Sequence, residues 1–362
     1  MKPQTVRNRK PSMTRAPIQL LEKLSNAIGV SGNEEEIRQI VIDQVKPFVD
    51  EYQVDPLGNL LAVKHATTPG TLRVMFAAHM DEVGFMLVEE DGDGLYAFEK
   101  VGGIDERQLL AKNVLVGKEH LPGVIGSKPI HLTPADEFKN ATPQKNMRID
   151  ISPGNAGKAK IGDYATFATR FQRSGSSLFG KALDDRLGVA TLVELAKLNP
   201  GKIELLFAFT VQEELGLRGA RVAAYDFEPD MAFVIDSTPA FDLPMIDEEE
   251  ENTQYNCRLG GGPAIYLADA GTISDPRLVR FLVQLAEENK IPYQFRQPGG
   301  GGTDAGAIHI SRRGVPSVSV SIPGRYAHSP ITHANLHDWQ NTLALLQLVL
   351  DRVNPSILTN DR

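Results

Sequence analysis

The sequence predicts an α/β protein that carries a small all-β unit inserted into its chain. Uninterrupted apolar runs, such as 203–211, alternate with segments of helical periodicity. Such runs are typical of strands that are buried on both faces of a parallel sheet. From residue 83 to about 171, in contrast, the apolar runs are short and separated by glycines, which is typical of a small β unit.

The composition is that of a globular protein and argues against several functional classes. The 362 residues are 41% hydrophobic and 23% charged. No apolar run approaches the ~20 residues that span a bilayer, so we expect no membrane association. The net charge of −8 gives no reason to expect nucleic-acid binding. The single cysteine, Cys257, excludes an internal disulfide framework, so we predict a reducing, cytoplasmic location.

The composition and the hydrophobic pattern divide the chain into three parts. Residues 1–16 contain five basic residues and no acid, and we interpret them as a disordered tail. The α/β domain is predicted to comprise residues 17–82 and 172–362, and residues 83–171 form the inserted β-rich unit. The polar segment 170–177 is interpreted as the linker that returns the chain to the α/β domain.

Periodicity and helix breakers predict the elements of the first part. Helices are expected over 18–26 and 34–48, and Asn33 is the predicted N-cap of the second. A turn at 55–59 leads into strands at 60–63 and 72–78.

The elements of the last part follow in the same way. We predict, in order, a helix from Asp184 to about residue 198, a strand at 203–211, a helix at 219–225, a strand at 231–235, a helix at 276–288, a last buried strand at 315–322 and a closing helix at 339–353. The acidic block 247–251 is interpreted as solvated. The glycine run 299–302 lacks the lysine of a phosphate loop, so its glycines are interpreted as permitting close backbone approach.

Acidic and histidine side chains follow the buried runs where these end. The candidates are His79 and Asp81, Glu213 and Glu214, Asp236 and His328, with Asp184 at a helix start. Carboxyl ends of parallel strands meet at one edge of a sheet, where ligands usually bind. Buried carboxylates cost several kcal/mol unless they are paired or ligated, and His with carboxylate is the ligand set of zinc and similar ions.

The number of candidates fits two ions. One carboxylate can bridge a pair of ions ~3.5–4 Å apart, and such a pair activates a shared water. One of the two adjacent glutamates then remains as a general base. His79 and Asp81 lie two residues apart and therefore on one side of a strand, so that the carboxylate can orient the imidazole. A single histidine at a strand end is more often structural, and only the joint pattern favours a metal site.

Six motifs in this order resemble those of the M42 metallo-aminopeptidases, also labelled tetrahedral aminopeptidases, glutamyl aminopeptidases or cellulase M. They are His79-Met80-Asp81-Glu82-Val83-Gly84-Phe85, Ala182-Leu183-Asp184-Asp185-Arg186, Gln212-Glu213-Glu214-Leu215-Gly216, Val234-Ile235-Asp236, Gly302-Thr303-Asp304-Ala305 and Arg325-Tyr326-Ala327-His328-Ser329. The segment 124–132 is similar to a motif of that family's inserted domain, and the resemblance extends from about Leu20 to Val353.

The resemblance implies a ligand set and a chemistry. Five side chains are implied to hold two divalent ions, zinc or cobalt: Asp184 as the bridge, His79 and Asp236 at one ion, and Glu214 and His328 at the other. Glu213 is implied to be the catalytic base and Asp81 to support His79. The implied activity is the removal of N-terminal residues from peptides.

The resemblance also implies an architecture. The catalytic domain is expected to be a sandwich of helices around a central mixed sheet, as in zinc peptidases. The insert is expected to be a PDZ-like β domain used in dimerisation, and the dimers to build a dodecamer. The segment 329–335 departs from the family because it lacks an acid near His333; we interpret His333 and His337 as surface residues.

Two other functions are compatible with parts of the pattern. A glycoside hydrolase could use the Glu213–Glu214 pair, but adjacent side chains of an extended segment point to opposite faces, whereas two glycosidase carboxylates flank one bond at ~5 Å or more. A non-enzymatic scaffold could keep the fold, but all of the ligand positions are intact. Motifs for a serine nucleophile elbow or a helix-borne zinc site are absent from the sequence.

Overall fold

A computed structural model of the chain describes residues 15–68, 72–134, 139–243, 257–296 and 299–359. Most of the predicted basic tail, residues 1–14, and the acidic block 247–251 lie outside the described residues. None of the described helices is both long and apolar enough to cross a bilayer.

The helices of the described residues are α1 (Arg15–Asn26), α2 (Glu35–Val45), α3 (Leu183–Ala196), α4 (Arg218–Phe227), α5 (Pro276–Asn289), α6 (Ala305–Ile308), α7 (Leu336–Arg352) and α8 (Ser356–Thr359). The strands are β1 (Glu51–Val54), β2 (Leu60–Lys64), β3 (Arg73–His79), β4 (Gly84–Gly92), β5 (Leu95–Val101), β6 (Asn113–Val116), β7 (Leu121–Ser127), β8 (Met147–Asp150), β9 (Tyr164–Phe167), β10 (Gln172–Ser174), β11 (Ser177–Gly180), β12 (Glu204–Thr210), β13 (Met231–Pro239), β14 (Ala264–Tyr266), β15 (Gln294–Arg296), β16 (Ser317–Arg325) and β17 (Thr332–Asn335).

Eleven described strands form one mixed sheet, which confirms the predicted central mixed sheet. Its order is β1-β2-β12-β3-β13-β16-β17-β11-β10, and β14 pairs with β16 and with β15. The four strands β12, β3, β13 and β16 are parallel, and the strands outside them are mostly antiparallel. Phe207, Phe76 and Phe233 lie side by side on the three neighbouring strands, with ring centroids 6.1 and 5.5 Å apart.

Helices cover both faces of this sheet. Along β3, Val74 and Phe76 belong to the core that α1, α3, α5 and α7 complete. Met75 and Ala77 point to the opposite face, where α4 and α6 cover them. This alternation is the expected consequence of the strand period of two. Burial on both faces explains why these strands read as continuous apolar runs.

The chain between β3 and β10 forms a separate closed barrel. Its strand order is β4-β5-β8-β7-β6-β9, and its core contains Phe85 packed edge-on against Phe98 and Phe167 at 5.2 Å. Closure removes the free strand edges that a small β unit would otherwise expose. The prediction of a small all-β unit in this region is therefore confirmed.

Several element boundaries differ from the predictions. The expected linker 170–177 contains β10, which forms a hairpin with β11 and extends the main sheet through β17. The strand predicted at 315–322 is not the last, because β17 follows it. Helix α2 ends at Val45, one residue before a short 3₁₀ turn that contains Pro47, and its N-cap is Glu34 rather than Asn33. The strands β10 and β17 were not predicted because three or four residues are too few to show a period of two. Helix α2 ends early because proline removes a helical hydrogen bond.

Candidate metal centre

Three parallel strands bring the candidate side chains to one edge of the sheet. His79 is the last residue of β3, and its partner in the ladder is Thr210, the last residue of β12. On the other side, β13 pairs with β3 as far as Val234 and then continues beside β16. Asp236 therefore lies within β13 rather than after it, at the level of His79.

Asp184 lies between the two histidines. Its Oδ1 is 3.3 Å from His79 Nε2, and its Oδ2 is 3.4 Å from His328 Nε2. His79 Nε2 is also 3.7 Å from Asp236 Oδ1, and His328 Nε2 is 3.3 Å from Glu214 Oε2. The structure thus brings the five predicted ligands together in two groups that share one carboxylate.

A sixth side chain, the carboxylate of Asp185, joins the first group. The ligand atoms of His79, Asp185 and Asp236 lie within 4.8 Å of one another, as do those of Asp184, Glu214 and His328. Of the adjacent pair Asp184 and Asp185, the sequence analysis assigns only Asp184 as a ligand. The structure explains why position 188 is a glycine. Its N–H donates to Asp185 Oδ1 at 2.9 Å, and a Cβ at this position would lie only 2.1 Å from Asp185 Oδ2.

The donor set fits divalent cations. Asp185 Oδ2 is buried and has no hydrogen-bond partner among the described residues. Burial raises the pKa of Asp236 to about 6 and that of Glu214 to about 8, because charged carboxylates lose water there. The site therefore contains more buried acid than its two imidazoles neutralise. Imidazole and carboxylate together are common ligands of zinc and similar divalent ions.

The imidazoles respond to the same acids. Burial opposes the charge on His328, but Asp184 and Glu214 outweigh it and raise the pKa to about 9. For Asp184, burial is likewise outweighed, here by His328 and His79, and its pKa is held below the usual value. The contact between Asp184 and His328 therefore raises the pKa of the imidazole and lowers the pKa of the carboxylate.

Asp81 lies behind the site and is fully buried. Its Oδ1 accepts the N–H of Glu213 at 3.0 Å, and its Oδ2 accepts the N–H of Glu214 at 3.2 Å and the Ser31 hydroxyl at 2.6 Å. Oδ1 is also 3.6 Å from His79 Nδ1. His79 Nδ1 lies closer to the backbone carbonyl oxygen of Asp81, at 3.2 Å. Asp81 therefore contacts His79 mainly through its main chain and holds the Glu213–Glu214 turn through its carboxylate.

Asp304 is a buried acid to which our sequence analysis assigned no role. It accepts a short hydrogen bond from the Thr210 hydroxyl, next to His79 in the ladder, and burial raises its pKa to about 7. Its Oδ1 has no partner among the described residues. The motif Gly302-Thr303-Asp304-Ala305 was the available signal, and it did not reveal the contact with Thr210.

A cavity of about 610 Å³ opens onto the two groups. Glu213 lines it together with the five predicted ligands. The other walls are Leu217, Ser237, Pro239, Tyr266, Ala270, Gly271, Arg296, Gly300, Gly301, Gly302 and Ala327. Gly300, Gly301 and Gly302 form part of the cavity wall, but a Cβ at any of the three would meet open space, so the predicted close backbone approach is not seen there. The cavity is large enough for an amino-acid side chain beside the ligands.

The two histidines interpreted as surface residues lie outside both ligand groups of the described residues. The His333 ring is half-buried and stacks on Phe179, with centroids 4.4 Å apart. His337 is exposed and contacts Gln340 at 3.0 Å.

Comparisons with known proteins identify a family. The model of the family "M42 glutamyl aminopeptidase" matches residues 58–345. A putative aminopeptidase of Acetivibrio thermocellus is 40% identical over 90% of this chain and 96% of its own length.

Solved structures resemble the fold over nearly all of the chain. Aminopeptidase APDkam598 of Desulfurococcus kamchatkensis is 33% identical, with a TM-score of 0.87 over 95% of this chain and 96% of its own. The TET1 peptidase of Pyrococcus horikoshii, described as assembling into a tetrahedron or a large octahedral shell, is 35% identical, with a TM-score of 0.80 over 92% of this chain and 99% of its own. The chain therefore belongs to the M42 glutamyl aminopeptidase family and is an aminopeptidase, a hydrolase that acts on peptide bonds.

Proposed function

We propose that this aminopeptidase removes N-terminal residues from peptides at a centre for two divalent ions, zinc or cobalt. The observation that carries the proposal is the position of Asp184, which presents one oxygen to the His79 group and the other to the His328 group. The proposed ligands remain His79, Asp184, Glu214, Asp236 and His328. Asp185 supplies a further carboxylate to the His79 group.

Glu213 is the proposed general base. It lines the cavity, and its backbone is fixed by Asp81, so that its side chain stays beside the ligands. Burial raises its pKa well above the usual value, which suits a group that accepts a proton and releases it again. Glu213 takes a proton from the attacking water and passes it to the leaving amine.

The bound ions would act as Lewis acids toward the water and the scissile carbonyl. The remaining work belongs to the protein. Asp81 holds the base and His79 in place. The cavity walls, with Leu217 and Tyr266 among them, receive the N-terminal side chain and exclude bulk water.

A Glu213→Gln variant tests the assignment of the base. Glutamine has the same shape but cannot accept the proton, so turnover of aminoacyl chromogenic substrates should fall about 10²–10⁴-fold. Metal content, measured by mass spectrometry, should remain that of the wild type. Glu22→Gln, at an exposed site on α1, is the matched control. Normal turnover by Glu213→Gln would show that another group is the base.

The barrel and the assembly complete the proposal. We propose that residues 83–171 form a PDZ-like inserted domain through which subunits pair, and that the pairs build a dodecamer in the cytoplasm. The oligomeric TET1 relative and the closed barrel between β3 and β10 support this proposal. Light scattering of the purified protein measures the assembly, and a monomer at micromolar concentration would contradict it.

The glycoside hydrolase alternative is not favoured. Glu214 lies against His328 and Glu213 lies beside the same ligand groups, so the pair does not flank an empty sugar site. Loss of peptidase activity in EDTA, with recovery on addition of zinc or cobalt, separates the two functions.

A further inference from the structure

Three charged side chains form a buried cluster beside the metal centre. Glu82, Lys181 and Arg186 are 3%, 2% and 0% exposed. Lys181 Nζ lies 2.8 Å from both carboxylate oxygens of Glu82, and Arg186 Nη2 lies 3.3 Å from Oε1. Lys181 also donates to the carbonyl oxygen of Ala27 at 2.6 Å. Burying such charges is unfavourable unless their geometry is held tightly, so the arrangement calls for a reason.

The two basic residues of this cluster flank Asp184, the ligand shared by the two groups, in the sequence. Lys181 lies three residues before Asp184, and Arg186 lies two residues after it. One carboxylate thus holds both sides of the segment that presents Asp184. Glu82 itself directly follows Asp81, which holds the Glu213–Glu214 turn. Two adjacent acids therefore anchor the two segments that carry Asp184, Glu213 and Glu214.

The same carboxylate receives hydrogen bonds from the barrel and from the first helical connection. The Thr166 hydroxyl, on β9, donates to Glu82 Oε2 at 2.9 Å, and the N–H of Gly29 donates to Oε1 at 3.0 Å. Glu82 lies just before β4, the first strand of the barrel, and Thr166 lies in β9, the last. Glu82 thus lies where the chain enters the barrel and is hydrogen-bonded to the strand from which the chain leaves it.

We infer that Glu82 is a positioning residue that fixes Asp184 between the two ligand groups and couples the barrel to the metal centre. The inference rests on the proposed function, because it assigns Glu82 an effect on ion binding. When Lys181 and Arg186 are held from one point, the Asp184 segment cannot rotate, and each of its oxygens stays directed at its own histidine. A looser segment weakens both ion sites at once. Leu217 and Tyr266, the walls proposed to receive the substrate side chain, lie on other elements, so substrate affinity is unaffected.

Thr166→Val is the decisive variant because it removes one donor to Glu82 without changing charge or shape greatly. We expect the affinity for Co²⁺, titrated by visible absorption, to fall about threefold to tenfold. Turnover at subsaturating Co²⁺ should fall in parallel, with KM unchanged. Thr191→Val is the matched control: it makes the same substitution in α3 and removes the hydrogen bond from Trp339 Nε1, 2.9 Å long. This control should lower the melting temperature and leave Co²⁺ affinity unchanged.

Glu82→Gln extends the series, with an expected loss of Co²⁺ affinity of about 10–100-fold. This variant leaves the buried side chains of Lys181 and Arg186 opposite a neutral amide, so circular dichroism is needed to show that it folds. If it does not fold, the result with Thr166→Val decides the test. Wild-type Co²⁺ affinity in Thr166→Val, or an equal loss in Thr191→Val, would overturn the inference. Failure of the wild type to bind Co²⁺ or to cleave peptides would instead overturn the proposed function itself.

Discussion

At the scale of single residues, the adjacent aspartates Asp184 and Asp185 have pKa values shifted in opposite directions because their surroundings differ. Asp184 faces two imidazoles, which hold its pKa below the usual value despite burial. For Asp185, burial and the charge of Asp236 raise the pKa well above the usual value. The family resemblance assigns a ligand role to Asp184 alone, and the contacts of the two adjacent aspartates give the physical reason why their pKa values differ.

Asp81→Asn tests whether one buried carboxylate fixes the Glu213–Glu214 turn beside His79. Asparagine offers one acceptor oxygen where Asp81 uses two, so one backbone N–H of Glu213 or Glu214 loses its partner. We expect kcat to fall about 10–100-fold, with a weaker affinity for metal.

Ser31→Ala is the matched control for this variant, because it removes only one hydrogen bond to the same carboxylate. Its effect on kcat should be about tenfold or less. Equal activity of Asp81→Asn and the wild type would contradict the supporting role of Asp81.

At the scale of elements, the start of α7 anchors a loop that leads into β14. Asn335 caps the helix by accepting the N–H of His337 at 2.8 Å. In the first turn, Asp338 accepts the N–H groups of Gly260 and Gly262, each at 2.7 Å. Burial nevertheless dominates and raises the pKa of Asp338 to about 6. The anchor is therefore sensitive to pH.

Asp338→Asn should change the pH dependence of stability. The folded-state pKa, about 6, lies above the reference value of 3.8, so protonation favours the folded state. The contribution of this group to the free energy of unfolding is therefore largest below pH 3.8 and is lost as the pH rises through about 6. The difference corresponds to about 3 kcal/mol.

Urea unfolding of metal-free protein at pH 4, 5.5 and 7 measures this effect. The asparagine variant loses one acceptor and should be less stable than the wild type at pH 4. Its stability relative to the wild type should then rise toward pH 7. Parallel pH profiles for the two proteins would show that Asp338 does not titrate in this window.

At the scale of the whole molecule, the candidate centre joins parts of the chain that are far apart in sequence. His79 ends β3, Asp184 precedes most of α3, Asp236 lies in β13, and His328 follows β16. A bound ion would therefore tie several elements of the sheet edge to one another. Because ion binding stabilises only the folded state, it should raise the free energy of unfolding.

Addition of zinc or cobalt should thus raise the melting temperature of EDTA-treated protein. A free ion concentration 100 times the Kd corresponds to about 2.7 kcal/mol for each site. Asp184→Ala, which removes the shared ligand, should lose most of this increase, whereas Asp43→Ala on the exposed side of α2 should keep it. A wild-type melting temperature that does not respond to either ion would contradict the proposed centre.

The sequence by itself determined the α/β class, the all-β insert and the kinds of side chain at the sheet edge. These features are local: apolar runs mark strands buried on both faces, and acids at their ends mark the edge where parallel strands finish. The order of the motifs also sufficed to indicate the family. In the described structure, His79 ends β3 and Glu214 follows β12, whereas Asp236 lies within β13.

Only the tertiary structure decided which groups meet. Asp185 beside His79 and Asp236, Asp304 on Thr210, and the Glu82–Lys181–Arg186 cluster depend on contacts between residues about a hundred positions apart. The hairpin of β10 and β11 likewise became part of the main sheet only through its pairing with β17. Local periodicity carries no record of such pairings, because burial and hydrogen bonding are satisfied by whichever distant partner the folded chain supplies.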